Sequence, residues 1–102
     1  MKQSELIELF DKINDLHVVV VGDVMLDNYW WGHVDRISPE GPVPIVTLNK
    51  AESRLGGAAN VALNCKGLGA KVTLASIVGM DKQGAQLIQL AQDAGINTDL
   101  II

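Results

Sequence analysis

The chain has 102 residues, 48% of them hydrophobic and 20% charged, with a formal net charge of −4. That is enough for one small globular core, too apolar for a disordered tail, and without the basic footprint a nucleic-acid binder needs. One cysteine, Cys65, excludes an internal disulfide, and no apolar run approaches membrane-spanning length. Met1 to Asn14 mixes Glu5, Glu8 and Asp11 with apolar residues and lacks the layout of a signal peptide. We therefore expect a cytoplasmic protein with Cys65 as a small buried thiol.

In chain order, Ser4 is positioned to cap a helix running to about Asn14, with Leu6, Ile7, Leu9, Phe10 and Ile13 on one side. His17 to Val21 is a continuous β-branched run, which suits a strand buried on both faces of a parallel sheet. Gly22 ends it, and Asp23 to Asn28 reads as a polar loop. Tyr29 to Ile37 and Val43 to Leu48 read as two strands around the turn Ser38-Pro39-Glu40-Gly41-Pro42. Pro44 has no ladder donor and argues for an edge, so this pair is expected to project as a two-stranded flap.

Gly57 to Leu68 reads as a helix rich in small residues, stopped by Gly69. Lys71 to Val78 is a strand. Asp81 caps a helix through Ala94, with Leu87, Ile88, Leu90 and Ala91 inward and Gly95 closing it. Thr98 to Ile102 begins a last strand. Strands alternating with helices predict an α/β fold: a parallel sheet flanked by helices, with a small two-stranded β lid at about residues 29–48. The chain stops on Leu100-Ile101-Ile102, inside an apparent core strand, so we expect residues 1–102 to be the N-terminal part of one larger domain.

The glycine pair Gly56-Gly57, followed by Ala58-Ala59-Asn60, sits where an extended segment turns into a helix. Glycine lets backbone approach a ligand closely, and free N–H groups at a helix start suit an anion or a hydroxyl-rich molecule. A plain strand-to-helix turn accounts for the same residues. There is no GxxxxGK[ST] loop, and the only G-x-G, Gly67-Leu68-Gly69, follows a helix rather than a strand.

Asp23 and Asp27 follow the first strand, where open α/β sheets bind ligands. Their carboxylates suit paired sugar hydroxyls, or else simply form the turn. Tyr29-Trp30-Trp31 reads either as a lid or partner contact or as core anchors of the flap. Arg36 and Arg54 suit bidentate contact with a phosphate, or solvated surface charge. His17 and His33 have no Cys or acidic neighbours at metal-ligand spacing, so no metal is assigned. No nucleophile triad is visible, and we assign no catalytic residue to this segment.

Taken together, Gly56, Gly57, Ala58, Asn60, Ala62, Gly69 and Gly79 resemble the first signature of the ribokinase-type (pfkB) carbohydrate kinases without a gap. Val20 to Asp27, Tyr29-Trp30, Arg36-Ile37-Ser38-Pro39-Glu40 and Pro42-Val43-Pro44 resemble the branch acting on D-glycero-β-D-manno-heptose 7-phosphate. The resemblance covers roughly residues 17–102. It implies transfer of the γ-phosphoryl of ATP, with Mg²⁺, to the anomeric hydroxyl of that sugar phosphate, on the route to ADP-heptose and lipopolysaccharide core precursors. It implies that Asp27, Gly57 and Asn60 hold the sugar, with Asp23 and Gly56 shaping the pocket; Arg36 or Arg54 as a contact for the 7-phosphate is our own reading of their charge and not part of the resemblance. It implies that the flap is a lid, with Tyr29, Trp30 and Trp31 in it, and that the lid also joins a homodimer.

The family's second signature, Gly-Ala-Gly-Asp with the catalytic base, is not in these residues. We therefore expect part of an acceptor site, with ATP and Mg²⁺ bound mainly elsewhere and no turnover by this chain alone. The alternatives are a kinase for another sugar or sugar phosphate of the same family, and a non-catalytic sugar-binding or dimerising module. No nucleic acid or membrane partner is expected.

Overall fold

The computed structural model describes residues 1–37 and 44–102, with side chains described outside residues 30–51. In order, the elements are α1 (Gln3–Asn14), β1 (His17–Val21), β2 (Val24–Ile37), β3 (Pro44–Gly57), α2 (Ala58–Gly67), β4 (Lys71–Ser76), α3 (Lys82–Asp93) and β5 (Asn97–Ile101). The predicted turn at 38–42 and the start of its second strand at Val43 lie outside the described residues.

β1, β4 and β5 form a parallel sheet in the order β1-β4-β5. β2 and β3 form a separate antiparallel ribbon. The expected α/β architecture with a two-stranded flap is therefore present. Pro44 opens β3 opposite Ile37, at a position where its missing N–H costs no interior ladder bond.

The ribbon is longer at its base than composition suggested. The segment expected to be a polar loop, Asp23 to Asn28, is a strand from Val24 onward. Val24 and Leu26 alternate inward against the core, and their partners Gly57 and Leu55 extend β3 to the helix start. That period-two burial outweighs the turn preference of Asp27 and Asn28.

The sheet buries one face. Parallel partners point the same way, and Val18 and Val20 of β1 flank the buried Val72 and Leu74 of β4. Ala59 and Ala62 of α2 are fully buried in the same core. Alanine on this stripe removes side-chain bulk from the helix–sheet contact. On the other face Thr73 is buried, with its Oγ1 2.7 Å from His17 Nε2, but Val19 is 54% and Val21 78% exposed, which corrects the expectation of a β1 strand buried on both sides.

α1 also differs. Lys2, not Ser4, is the N-cap, because the Glu5 carboxylate accepts from the Lys2 N–H at 3.2 Å and starts the helix earlier. Of its apolar stripe, Ile13 is half-buried against the core, whereas Leu6, Ile7, Leu9 and Phe10 are exposed. Cys65 is half-buried rather than buried.

Both glycine stops behave as expected, through the same geometry. Gly69 (φ 104°) and Gly95 (φ 81°) adopt the left-handed conformation just beyond α2 and α3. Gly69 N–H donates to Lys66 O at 3.0 Å and Ala70 N–H to Cys65 O at 3.3 Å; Gly95 and Ile96 repeat the pattern at 2.9 and 3.0 Å. These are Schellman closures, and in each the following residue, Ala70 or Ile96, is buried. At the other end of α3, Asp81 Oδ1 accepts from Gly84 N–H at 2.7 Å, as the capping pattern predicts.

Candidate functional site

The turn from β1 into the ribbon is fixed by backbone polar groups. Gly22 N–H donates to Ala75 O at 3.3 Å, and Ser76 Oγ donates to Gly22 O at 2.6 Å. One residue on, Asp23 O accepts from Ala58 N–H at 2.8 Å. This last bond ties the start of α2 to the turn. It also occupies one of the helix-start donors that the sequence left open to a ligand.

The glycine pair is required by what lies against it. Gly57 caps α2 at φ 60°, ψ −135°, and a Cβ there would stand 2.6 Å from Asp23 O. Gly56 has no such backbone demand. A Cβ on it would instead stand 2.8 Å from Asp27 Cγ and 2.9 Å from Oδ1, inside the Asp27 carboxylate. The second candidate acid therefore lies flat against the first glycine of the pair.

The register sorts the ribbon into two rows. Val24, Leu26 and Leu55 pack on the core. Met25, Asp27 and Tyr29 stand opposite Gly56, Arg54 and Glu52 on the other face. Arg54 lies 4.6 Å above the Tyr29 ring and donates from its Nη2 to Glu52 Oε2 at 3.1 Å. The Glu52 hydrogen bond, and then its charge, raise the Arg54 pKa above its usual value. Tyr29 is thus an exposed platform under a guanidinium rather than a core anchor. On the core side of the ribbon, Ser53 Oγ donates to Asn28 Oδ1 at 2.6 Å.

These residues do not share one cavity. Asp23 lines a cavity of about 330 Å³ with Val21, Gly22, Ser76, Ile77 and Leu100, beyond the carboxyl ends of the parallel strands. Asn60 and Arg54 meet in another of about 300 Å³, with Leu55, Leu63 and Leu90. Asp27, Gly56 and Gly57 lie at the ribbon base beside the Asp23 carbonyl. Trp30, Trp31 and Arg36 are on described backbone, in register with Ala51, Lys50 and Ile45, but their side chains lie outside the described residues. Two contributors were not among the predicted site residues: Ser76, which pins Gly22 and carried no sequence signal, and Met25, which lies within the Val20 to Asp27 resemblance and whose Cε would stand 3.4 Å from a Gly57 Cβ.

The chain matches the family model described as pfkB family carbohydrate kinase over residues 15–102. It is 55% identical over 91 residues to the D-beta-D-heptose 7-phosphate kinase of Bordetella bronchiseptica, covering 89% of this chain and 29% of that protein. It is 56% identical over 87 residues to the bifunctional protein HldE of Shewanella loihica, covering 85% of this chain and 18% of that protein. The chain thus spans less than a third of the length of either relative. Among solved structures, the fructokinase of Xylella fastidiosa superposes with a TM-score of 0.61 at 25% identity, over 84% of this chain and 24% of that one. The parallel sheet, its flanking helices and the ribbon are thus part of a ribokinase-like fold, and the chain belongs to the pfkB family of carbohydrate kinases.

Proposed function

We propose that this chain forms the acceptor-sugar part of an ATP-dependent kinase that phosphorylates D-glycero-β-D-manno-heptose 7-phosphate at the anomeric hydroxyl. The product would be the 1,7-bisphosphate that feeds ADP-heptose and lipopolysaccharide core synthesis. One observation supports this most: the Asp27 carboxylate rests against Gly56, at the junction that also holds Gly57 and the start of α2. A carboxylate fixed there accepts hydrogen bonds from neighbouring sugar hydroxyls, and charged acceptors make the stronger kind. The choice of heptose phosphate among sugars rests on the relative at 55% identity, which is named a D-beta-D-heptose 7-phosphate kinase.

In this reading Asp27, Gly57 and Asn60 hold the sugar, and Asp23 and Gly56 shape the pocket. Arg54, held by Tyr29 and Glu52 across the ribbon from Asp27, contacts the 7-phosphate, with Arg36 as the other candidate. The ribbon at about residues 29–48 closes as a lid and joins a homodimer. In this reading the protein works in the cytoplasm, where its co-substrate ATP is available. Separately, no helix among the described residues is long and apolar enough to cross a membrane.

ATP and Mg²⁺ are the family's co-substrate and metal. Among the described residues no three His, Cys, Asp or Glu side chains group so as to hold a metal ion. Phosphoryl transfer depends on positioning and on stabilising the developing charge. The chain carries no Gly-Ala-Gly-Asp sequence to supply a base, so it binds acceptor without turnover.

The test is a tryptophan-fluorescence titration of the folded chain with heptose 7-phosphate, with fructose 6-phosphate and ribose as controls. Saturation by the heptose phosphate alone is expected. Equal saturation by fructose 6-phosphate would favour a kinase for another sugar. No response to any sugar, from a chain shown to be folded, would refute an acceptor site within these residues.

A further inference from the structure

We infer that Gly56 is a positioning residue for Asp27: its missing side chain leaves the space in which the Asp27 carboxylate lies, and so fixes where that acceptor points. The functional meaning of this rests on the sugar-binding reading above, but the geometry does not. Gly56 is buried, and it is not among the glycines with positive φ, so alanine fits its backbone. What alanine does not fit is the space: Cγ and Oδ1 of Asp27 would stand 2.8 and 2.9 Å from the new methyl, and Oδ2 is also in contact. Cβ atoms do not approach carboxylates this closely.

The obstacle is the end of a short side chain rather than backbone. Relief therefore comes by rotating Asp27 about χ1 into another staggered well, which swings the carboxylate off the base of the row. Gly57 differs in kind, because its obstacle is the Asp23 carbonyl and its φ is positive. The two adjacent glycines thus have separate tasks. Gly57 lets the chain turn, and Gly56 admits the acid.

The experiment compares the chain with its Gly56→Ala, Asp27→Ala and Gly56→Ala/Asp27→Ala variants. The ligand-free readout is the side-chain carboxyl ¹³C resonance of Asp27, with that of Asp81, which caps α3, as internal reference. Gly56→Ala is expected to shift the Asp27 resonance and leave that of Asp81 in place. An unmoved Asp27 resonance in a folded Gly56→Ala chain overturns the inference. If Gly56→Ala does not fold, the double variant must fold, because removing the carboxylate empties the space the methyl needs. A double variant that also fails to fold overturns it as well.

Titration with heptose 7-phosphate then tests the functional layer separately. Gly56→Ala should weaken binding at least tenfold, and the double variant should bind as Asp27→Ala does. Additive losses in the double variant would show that Gly56 acts on the sugar directly rather than through Asp27. Absence of binding by the parent chain would refute the sugar site while leaving the resonance result to decide the role of Gly56.

Discussion

Gly57→Ala should destabilise the chain where an ordinary glycine-to-alanine change stabilises it. Gly57 sits at φ 60°, ψ −135°, outside the regions an L side chain adopts readily. Forcing alanine there costs about 1–3 kcal/mol of backbone strain. The new Cβ would also stand 2.6 Å from Asp23 O, the acceptor for Ala58 N–H at 2.8 Å. Moving that carbonyl away loses a hydrogen bond worth about 1 kcal/mol. Together the loss is about 2–4 kcal/mol, a large share of the roughly 5–15 kcal/mol that stabilises a domain of this size. By urea unfolding followed by circular dichroism, a loss near 3 kcal/mol lowers the midpoint by roughly 1.5 M for a slope near 2 kcal/mol per M. Gly67→Ala is the matched control. Gly67 lies in the last turn of α2 with no heavy atom within 4 Å of its Cβ position, and its φ is not positive. It should gain about 0.4–1 kcal/mol through the unfolded chain. A Gly57→Ala midpoint at or above the parent's would refute the geometry assigned to the junction.

Other consequences follow from single observations. Leu74 is fully buried between α2 and the sheet, so Leu74→Ala should cost about 2–5 kcal/mol in the same urea assay. Asp81→Ala removes the acceptor for Gly84 N–H and should cost about 0.5–2 kcal/mol, with amide exchange of Gly84 rising more than that of the α3 centre. The 102-residue chain should show no ADP release above background with ATP, Mg²⁺ and heptose 7-phosphate in a coupled assay. Heptose-dependent ADP release from pure chain would refute the proposal that these residues lack the catalytic base.

The elements were legible where local chemistry decides them. The β-branched run of β1, the Asp81 cap and the glycine stops Gly69 and Gly95 each follow from a residue and its immediate neighbours. The ribbon base was not legible, because Asp27 and Asn28 favour turns by type and become strand only through cross-strand packing of Leu26 on Leu55. The exposure of Val19, Val21 and the α1 stripe was equally hidden, since periodicity shows which residues form a face and not whether anything covers it.

For the site, the signature residues were visible, but the reason for the glycine pair was not. From sequence, the pair reads equally as room for a ligand or as a plain strand-to-helix turn. In the structure that room is already occupied, by the Asp23 carbonyl at Gly57 and by the Asp27 carboxylate at Gly56. A pattern that joins Asp27 to a glycine twenty-nine positions away thus becomes a single contact, because β2 and β3 pair antiparallel in this register. Changing that register by one residue would turn Asp27 toward the core and Leu26 to solvent. The packing of Val24, Leu26 and Leu55 that holds the register is therefore also what holds the acid in place.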